Sequence, residues 1–121
     1  MKKSILIIDD DPNIIALLET FIKPLGYNIL KANDGMTGLQ MARDFQPSLI
    51  FLDIMLPKLD GYKISRFLKF DDNYRQIPVI MLTAKTDTHD EEIGKQTGAD
   101  DYITKPFNKS IIIDTIHKYI K

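Results

Sequence analysis

Five residues carry the side chains needed for phosphoryl or metal-ion chemistry, and each closes a short apolar run. Ile5 to Ile8 ends at Asp9-Asp10, Leu49 to Leu52 at Asp53, Val79 to Leu82 at Thr83-Ala84, and Tyr102-Ile103-Thr104 at Lys105-Pro106. A carboxylate at the end of a buried strand must be solvated, paired or bound to a cation, because it is costly otherwise. Taken alone, Asp53 reads as well as a loop cap as it does as a functional group. Three carboxylates brought within a few ångströms, however, repel one another and raise the pKa of at least one unless a cation is present. A hard divalent ion resolves the conflict, and a site of few carboxylates that leaves several waters on the metal suits Mg²⁺ over Ca²⁺. With no cysteine in the chain and no histidine beside the cluster, zinc and copper are disfavoured. Lys105 adds a point charge and Thr83 a hydroxyl donor. Together these residues make a pocket for a tetrahedral dianion attached to, or close to, Asp53. The Asp53 carboxylate can itself be the nucleophile, forming an acyl phosphate, with positioning and electrostatics supplying most of the rate.

Positioning those residues requires a particular architecture. The chain alternates strand and helix five times. After the first strand, Asp11-Pro12 reads as an N-cap followed by proline at the first helical position. Ile14, Leu17, Leu18, Phe21, Ile22 and Leu25 then recur at helical spacing, and Pro24 with Gly26 closes the helix. Tyr27 to Ala32 is a second, more polar strand, which marks it as a sheet edge. Asp34-Gly35 opens a second helix, with Leu39, Met41, Ala42 and Phe45 on its buried side before Pro47. Past the Asp53 strand, Pro57 interrupts regular structure and Asp60-Gly61 supplies a turn. A third helix over Tyr62 to Phe70 faces Ile64, Phe67 and Leu68 inward. Lys85 to Thr97 reads as a weak, polar fourth helix ended by Gly98. A last helix, Asn108 to Ile120, is apolar at Ile111, Ile112, Ile113, Ile116 and Ile120.

Strands separated by helices of this length need parallel, right-handed crossovers. The unbroken apolar runs mean burial on both faces. The expectation is an α/β fold: a doubly wound five-stranded parallel sheet in the flavodoxin-like order 2-1-3-4-5, with helices on both faces. All its strands end at one edge, which gathers Asp9, Asp10, Asp53, Thr83 and Lys105.

Composition bounds what else the chain can be. Its 121 residues suit one domain, and 44% hydrophobic with 27% charged residues is ordinary globular composition. A net charge of -1 leaves no electrostatic footprint for nucleic acid. The apolar run after Met1-Lys2-Lys3 is too short for a signal peptide, and no run approaches membrane-spanning length. The expectation is a cytoplasmic protein with no membrane contact and no direct nucleic-acid binding by this domain.

The pieces Ile-Ile-Asp9-Asp10, Leu52-Asp53-Ile54-Met55-Leu56-Pro57 with Asp60-Gly61, Met81-Leu82-Thr83-Ala84, and Gly98-Ala99-Asp100-Asp101-Tyr102 running on to Lys105-Pro106-Phe107 give the chain, over its whole length, a resemblance to the receiver domain of two-component response regulators. The resemblance implies one receiver domain over residues 1–121. It implies that Asp53 accepts a phosphoryl group from the histidine of a sensor kinase or histidine phosphotransfer protein. Mg²⁺ would be held by Asp10, Asp53 and the backbone carbonyl of Met55, with Asp9 acting through water. Thr83 with Ala84, and Lys105, would bind the phosphoryl oxygens. Tyr102 would be the switch aromatic, and the Lys105-Pro106 bond would be cis. The phosphorylated state would be read by a downstream protein on the face bordered by the fourth helix, the fifth strand and the last helix. Such a protein is not an enzyme beyond catalysing its own phosphorylation and dephosphorylation. With Met55 and Lys85 beside the water's path, the phosphoryl group is expected to be long-lived.

Other readings carry less. A Mg²⁺-dependent aspartyl phosphatase would have an acidic residue where Met55 stands. An FMN-binding flavodoxin would have a Ser/Thr/Gly loop where Asp9-Asp10-Asp11 stands. The spacing of Gly35 and Gly38 does not make a dinucleotide fingerprint. Asp11 is read as a helix cap, Asp100 and Asp101 as a solvated turn, and His89 and His117 as exposed. A longer DNA-binding regulator of which this is the receiver half remains an alternative. Against it, Ile111 and Thr115 stand where such receivers place a charged pair for dimerisation, which favours a stand-alone receiver.

Overall fold

The computed structural model describes residues 3–56, 59–84 and 98–120. The Lys85 to Thr97 segment, with Lys85 and His89, and Pro57 lie outside the described residues. Five strands, β1 (Ser4–Ile8), β2 (Asn28–Ala32), β3 (Leu49–Asp53), β4 (Val79–Ala84) and β5 (Asp101–Lys105), form one sheet. Its order is β2-β1-β3-β4-β5 and every pairing is parallel. The polar strand β2 is at an edge, as its composition requires. The helices are α1 (Pro12–Ile22), α2 (Gly35–Phe45), α3 (Gly61–Lys69) and α4 (Lys109–Tyr119), with a 3₁₀ turn over Lys23–Leu25 extending α1.

Strand alternation divides the interior into two cores. Leu6, Ile8, Ile50, Leu52, Val79 and Met81 face α2 and α3, meeting Leu39, Ala42, Ile64 and Leu68. Ile5, Ile7, Leu49, Phe51, Ile80 and Leu82 face the other way, onto Leu18 and Ile22 of α1 and Ile112 and Ile116 of α4. Each such buried side chain contributes about 1.5–3 kcal/mol by leaving water. The helices begin where their caps are. Asp11, Asp34, Asp60 and Asn108 each accept a backbone N–H from the first turn of α1, α2, α3 and α4, which satisfies donors the helix cannot.

Several helix faces differ from the expectation. Leu17, Phe45, Phe67 and Ile111 are exposed. Each sits at the margin of its apolar stripe, where hydrophobicity alone does not fix which edge turns inward. Their places are taken by smaller residues: Gly35 and Gly38 in α2, Ser65 in α3 and Thr115 in α4 are buried. Asp100 is exposed at the bend before β5, as a solvated turn requires, whereas Asp101 belongs to the strand. The Asp100 Oδ2 accepts the Val79 N–H at 2.8 Å and the Lys69 ammonium at 2.8 Å. Lys69 also donates to the carbonyls of Arg75 at 2.7 Å and Ile77 at 3.0 Å, stapling the end of α3 to the starts of β4 and β5. Asp101 opens β5 and accepts from the Tyr119 hydroxyl at 3.0 Å.

Candidate functional site

Asp53 is the last residue of β3, paired in register with Leu82 of β4, and only 4% of it is exposed. Asp9 follows β1 directly. Its backbone N–H bonds the carbonyl of Ala32 at 3.1 Å, and the side chain is wholly buried. Lys105 closes β5 and reaches back across the sheet edge. Its ammonium lies 3.1 Å from Asp9 Oδ2 and 3.3 Å from Asp53 Oδ1. The Met55 N–H donates to the same Asp53 oxygen at 3.2 Å. The Asp9 Oδ1 accepts the Asp11 N–H at 2.9 Å, while Asp11 turns its own carboxylate to the Asn13 N–H at 2.9 Å. Asp11 is therefore spent on α1, and Asp10 projects into solvent beside the cluster.

The approach of α3 to this edge is close. A Cβ on Gly61 would sit 2.4 Å from the Asp53 carbonyl oxygen, so a side chain there would displace the strand end that carries the acid. Asp60-Gly61 was readable as a turn, but its contact with Asp53 was not. Nor does the sequence show the Met55 N–H as a donor to Asp53; the family resemblance implies a role for its carbonyl alone.

The charges do not balance. Burial pushes the Asp53 pKa up, the neighbouring Asp9 carboxylate pushes it further, and Lys105 and the Met55 N–H offset only part of this. Burial alone would lower the Lys105 pKa, but the carboxylates of Asp53 and Asp9 outweigh it and hold the ammonium charged. One cation thus faces two buried carboxylates, with Asp10 adding a third. Asp9, Asp10 and Asp53 each offer an oxygen, and these oxygens lie within 4.8 Å of one another. The donor set is all oxygen and electron-rich, and it fits a hard divalent cation.

Thr83, next along β4 from the partner of Asp53, is buried, and its hydroxyl has no hydrogen-bond partner among the described residues. A buried hydroxyl without a partner costs on the order of 1–3 kcal/mol, and this one can donate to an acceptor brought to the sheet edge. Tyr102, in β5, is half-buried against the core shared by α2 and α3. The Lys105–Pro106 bond is cis. Ala84 pairs in register with Lys105. His117 is exposed and apart from the cluster.

Comparison with known proteins places this geometry. The family model described as response regulator receiver domain matches residues 5–117. The alkaline phosphatase synthesis transcriptional regulatory protein PhoP of Bacillus subtilis is 43% identical over 108 residues, covering 89% of this chain and 44% of PhoP. Protein PilG of Pseudomonas aeruginosa is 36% identical over 116 residues, covering 96% of this chain and 86% of PilG. The chain spans about half the length of several curated relatives it matches, PhoP among them. Among solved structures, the receiver domain of the sensor histidine kinase PA1611 from Pseudomonas aeruginosa PAO1 superposes with a TM-score of 0.90. It shares 31% identity and covers 99% of this chain and 98% of its own, and that structure has a magnesium ion coordinated in its active-site cleft. By sequence, by fold and by the arrangement of its acidic edge, this chain belongs to the response regulator receiver domain family.

Proposed function

We propose that Asp53 is the phosphoacceptor of this receiver domain, taking its phosphoryl group from a phosphohistidine on a sensor kinase or phosphotransfer protein. An Asp53 carboxylate oxygen attacks phosphorus, the new O–P bond forms as the P–N bond breaks, and the imidazole leaves, regaining its proton from solvent. Lys105, already 3.3 Å from Asp53, holds charge on the transferring group. Thr83 donates its free hydroxyl to a phosphoryl oxygen, with Ala84 carrying the adjoining backbone. Asp10, Asp53 and the Met55 carbonyl would hold Mg²⁺, with Asp9 acting through water. The ion would neutralise charge between the carboxylates and the incoming phosphoryl group. The observation that carries this reading is the buried, unpartnered Thr83 hydroxyl beside a carboxylate that has an ammonium within reach.

The chain then catalyses only its own phosphorylation and dephosphorylation and acts from the cytoplasm on a downstream protein, with residues 1–121 forming one receiver domain. Labelling with acetyl phosphate tests the core of this. Wild type should label in Mg²⁺, and both chelation and Asp53→Asn should abolish labelling. An Asn variant that labels as well as wild type means another residue is the acceptor.

A second reading, that these residues are the receiver half of a longer DNA-binding regulator, is favoured by the relatives named as DNA-binding regulators, of which the chain covers about half. The full reading frame decides it: coding sequence for a further domain beyond Lys121 supports the longer protein, and a stop codon there removes it.

A further inference from the structure

The outer face of α3 has no part in the phosphoacceptor site, and its chemistry is one-sided. Lys63, Arg66, Phe67 and Phe70 recur at spacings of three and four, which places them in one stripe along the helix. Phe67 is 52% exposed and Phe70 is 68% exposed. They are not spread on a flat surface. The four residues line a groove of about 330 Å³. An adjoining depression of about 630 Å³ shares Arg66, Phe67 and Phe70 and adds Arg43 from α2, with Asp71, Asp72 and Asn73 at its far side.

The groups along this groove differ in how far they are satisfied. Asp71 accepts the Asn73 N–H at 2.9 Å, and Asp72 pairs with Arg75 at 3.4 Å. Asp71 keeps its negative charge, since a backbone N–H does not neutralise it, and the Asp72 pair is an exposed one. Arg43, Lys63 and Arg66 form no ion pair among the described residues. In the groove itself Lys63 and Arg66 border the two exposed phenylalanine rings with no acid in the lining, whereas the adjoining depression sets Arg43 beside Asp71 and Asp72. Aromatic and arginine side chains are the types enriched where one protein anchors another, and the surplus positive charge specifies the sign of what docks.

We propose that the α3 groove is a docking site for an acidic amphipathic segment of a partner protein, one that sets aliphatic or aromatic side chains against Phe67 and Phe70 and carboxylates against Lys63, Arg66 and Arg43. The concavity favours a protein segment over a membrane surface. The cation surplus disfavours a second copy of the same face, because like charges would meet across the pair. The site does not depend on the charge state of Asp53.

A synthetic peptide with leucine on one helical face and glutamate on the other serves as the probe, titrated into the ¹⁵N-labelled full chain and followed by NMR. The expected result is saturable shifts centred on residues 63–70. The glutamine-for-glutamate peptide should bind roughly tenfold or more weakly. Phe67→Ser with Phe70→Ser should abolish the shifts while leaving acetyl phosphate labelling intact, since both rings are exposed. Lys63→Glu with Arg66→Glu should lose the acidic peptide and instead bind its lysine counterpart. Asp53→Asn should bind as wild type does, which separates this result from any failure of the phosphoacceptor assignment. No shift at millimolar peptide, shifts centred elsewhere, or equal binding of the glutamine peptide overturns the proposal. So does tighter binding to phosphatidylserine vesicles than to the peptide, or self-association lost in the Phe67→Ser/Phe70→Ser protein.

Discussion

At the scale of single residues the acidic edge is a compromise between stability and chemistry. Asp53 and Asp9 share one ammonium, and Asp53 has a pKa raised by burial and by Asp9. A raised carboxylate pKa means that the folded state binds the proton more tightly than the unfolded chain does. Between the ordinary value and the raised one, stability therefore falls as pH rises, and the full penalty is present above the raised value. Asp53→Asn removes that penalty. In chelator, the variant should melt a few degrees above wild type at neutral pH, the scale of about 1 kcal/mol in a domain of this size. The gain should shrink as the pH is lowered through the window where Asp53 protonates. Calorimetry at two pH values checks this, and a variant less stable than wild type at neutral pH would show that the Lys105 pairing outweighs the repulsion. Asp10 makes the complementary case. It is exposed while Asp9 is buried and tied to Lys105, so Asp10→Ala should weaken Mg²⁺ binding by about tenfold or more. Asp9→Ala should weaken it less if Asp9 acts through water. Titration calorimetry separates the two, and equal losses would erase the distinction between direct and water-mediated roles.

At the scale of elements, strands proved easier to read than helix faces. Four-residue runs such as Ile5–Ile8 have one interpretation once helices flank them, because only a strand buried on both sides is apolar without alternation. The residues at the sheet edge follow for the same reason: a parallel sheet brings all strand ends to one edge, so Asp9, Asp53 and Lys105, far apart in sequence, meet without any local signal. Helix faces gave less, because hydrophobicity identifies the stripe but not the contact geometry. Gly38 illustrates the gap. Its spacing from Gly35 makes no dinucleotide fingerprint, and its place in the fold is packing: a Cβ there would lie 2.6 Å from Cδ1 of Ile8. That closeness lets α2 sit directly on β1, the strand that delivers Asp9. Gly38→Ala sets an overpacking cost of about 1–3 kcal/mol against a gain of about 1 kcal/mol in helix propensity, and should be net destabilising. Urea denaturation should show a lower midpoint, and adding Ile8→Val should not restore it, because the two γ carbons that valine keeps lie 2.8 Å from the added Cβ. A midpoint unchanged in Gly38→Ala would mean that α2 has room to lift. The contacts of Asp100 are illegible in the sequence for a related reason. Its partners Lys69 and Val79 come from distant parts of the chain, so sequence showed only two adjacent acids that looked solvated.

At the scale of the molecule, phosphorylation has to be felt away from Asp53. A phosphoryl group brings nearly two negative charges and three acceptor oxygens, and the buried Thr83 hydroxyl has no partner among the described residues. In the proposed switch, satisfying it would shift the end of β4, which pairs residue by residue with β5, Thr83 against Thr104 and Ala84 against Lys105. Tyr102 lies two residues earlier on β5. The coupling is a population shift, limited by how much better the phosphoryl group binds one arrangement than the other. The last helix lies on the same side as β5, and its groups bear on what can read the state. Ile111 is 43% exposed, and the Thr115 hydroxyl is consumed by the Ile111 carbonyl at 2.6 Å. Neither offers a charge. Asp101, the nearby acid on β5, is already held by Tyr119 at 3.0 Å and Lys118 at 3.4 Å. A dimer built on ion pairs across this face would have to break those contacts for pairs of the exposed kind, which return only about 0–1 kcal/mol each. The expected outcome is that beryllofluoride, a phosphoryl mimic, leaves the chain monomeric in sedimentation at micromolar concentration while changing the NMR spectrum of β5 and α4. The exposed Ile111 would then serve an apolar contact with a different protein. A tight dimer that forms only with the mimic and dissolves in salt would assign this face to self-pairing instead.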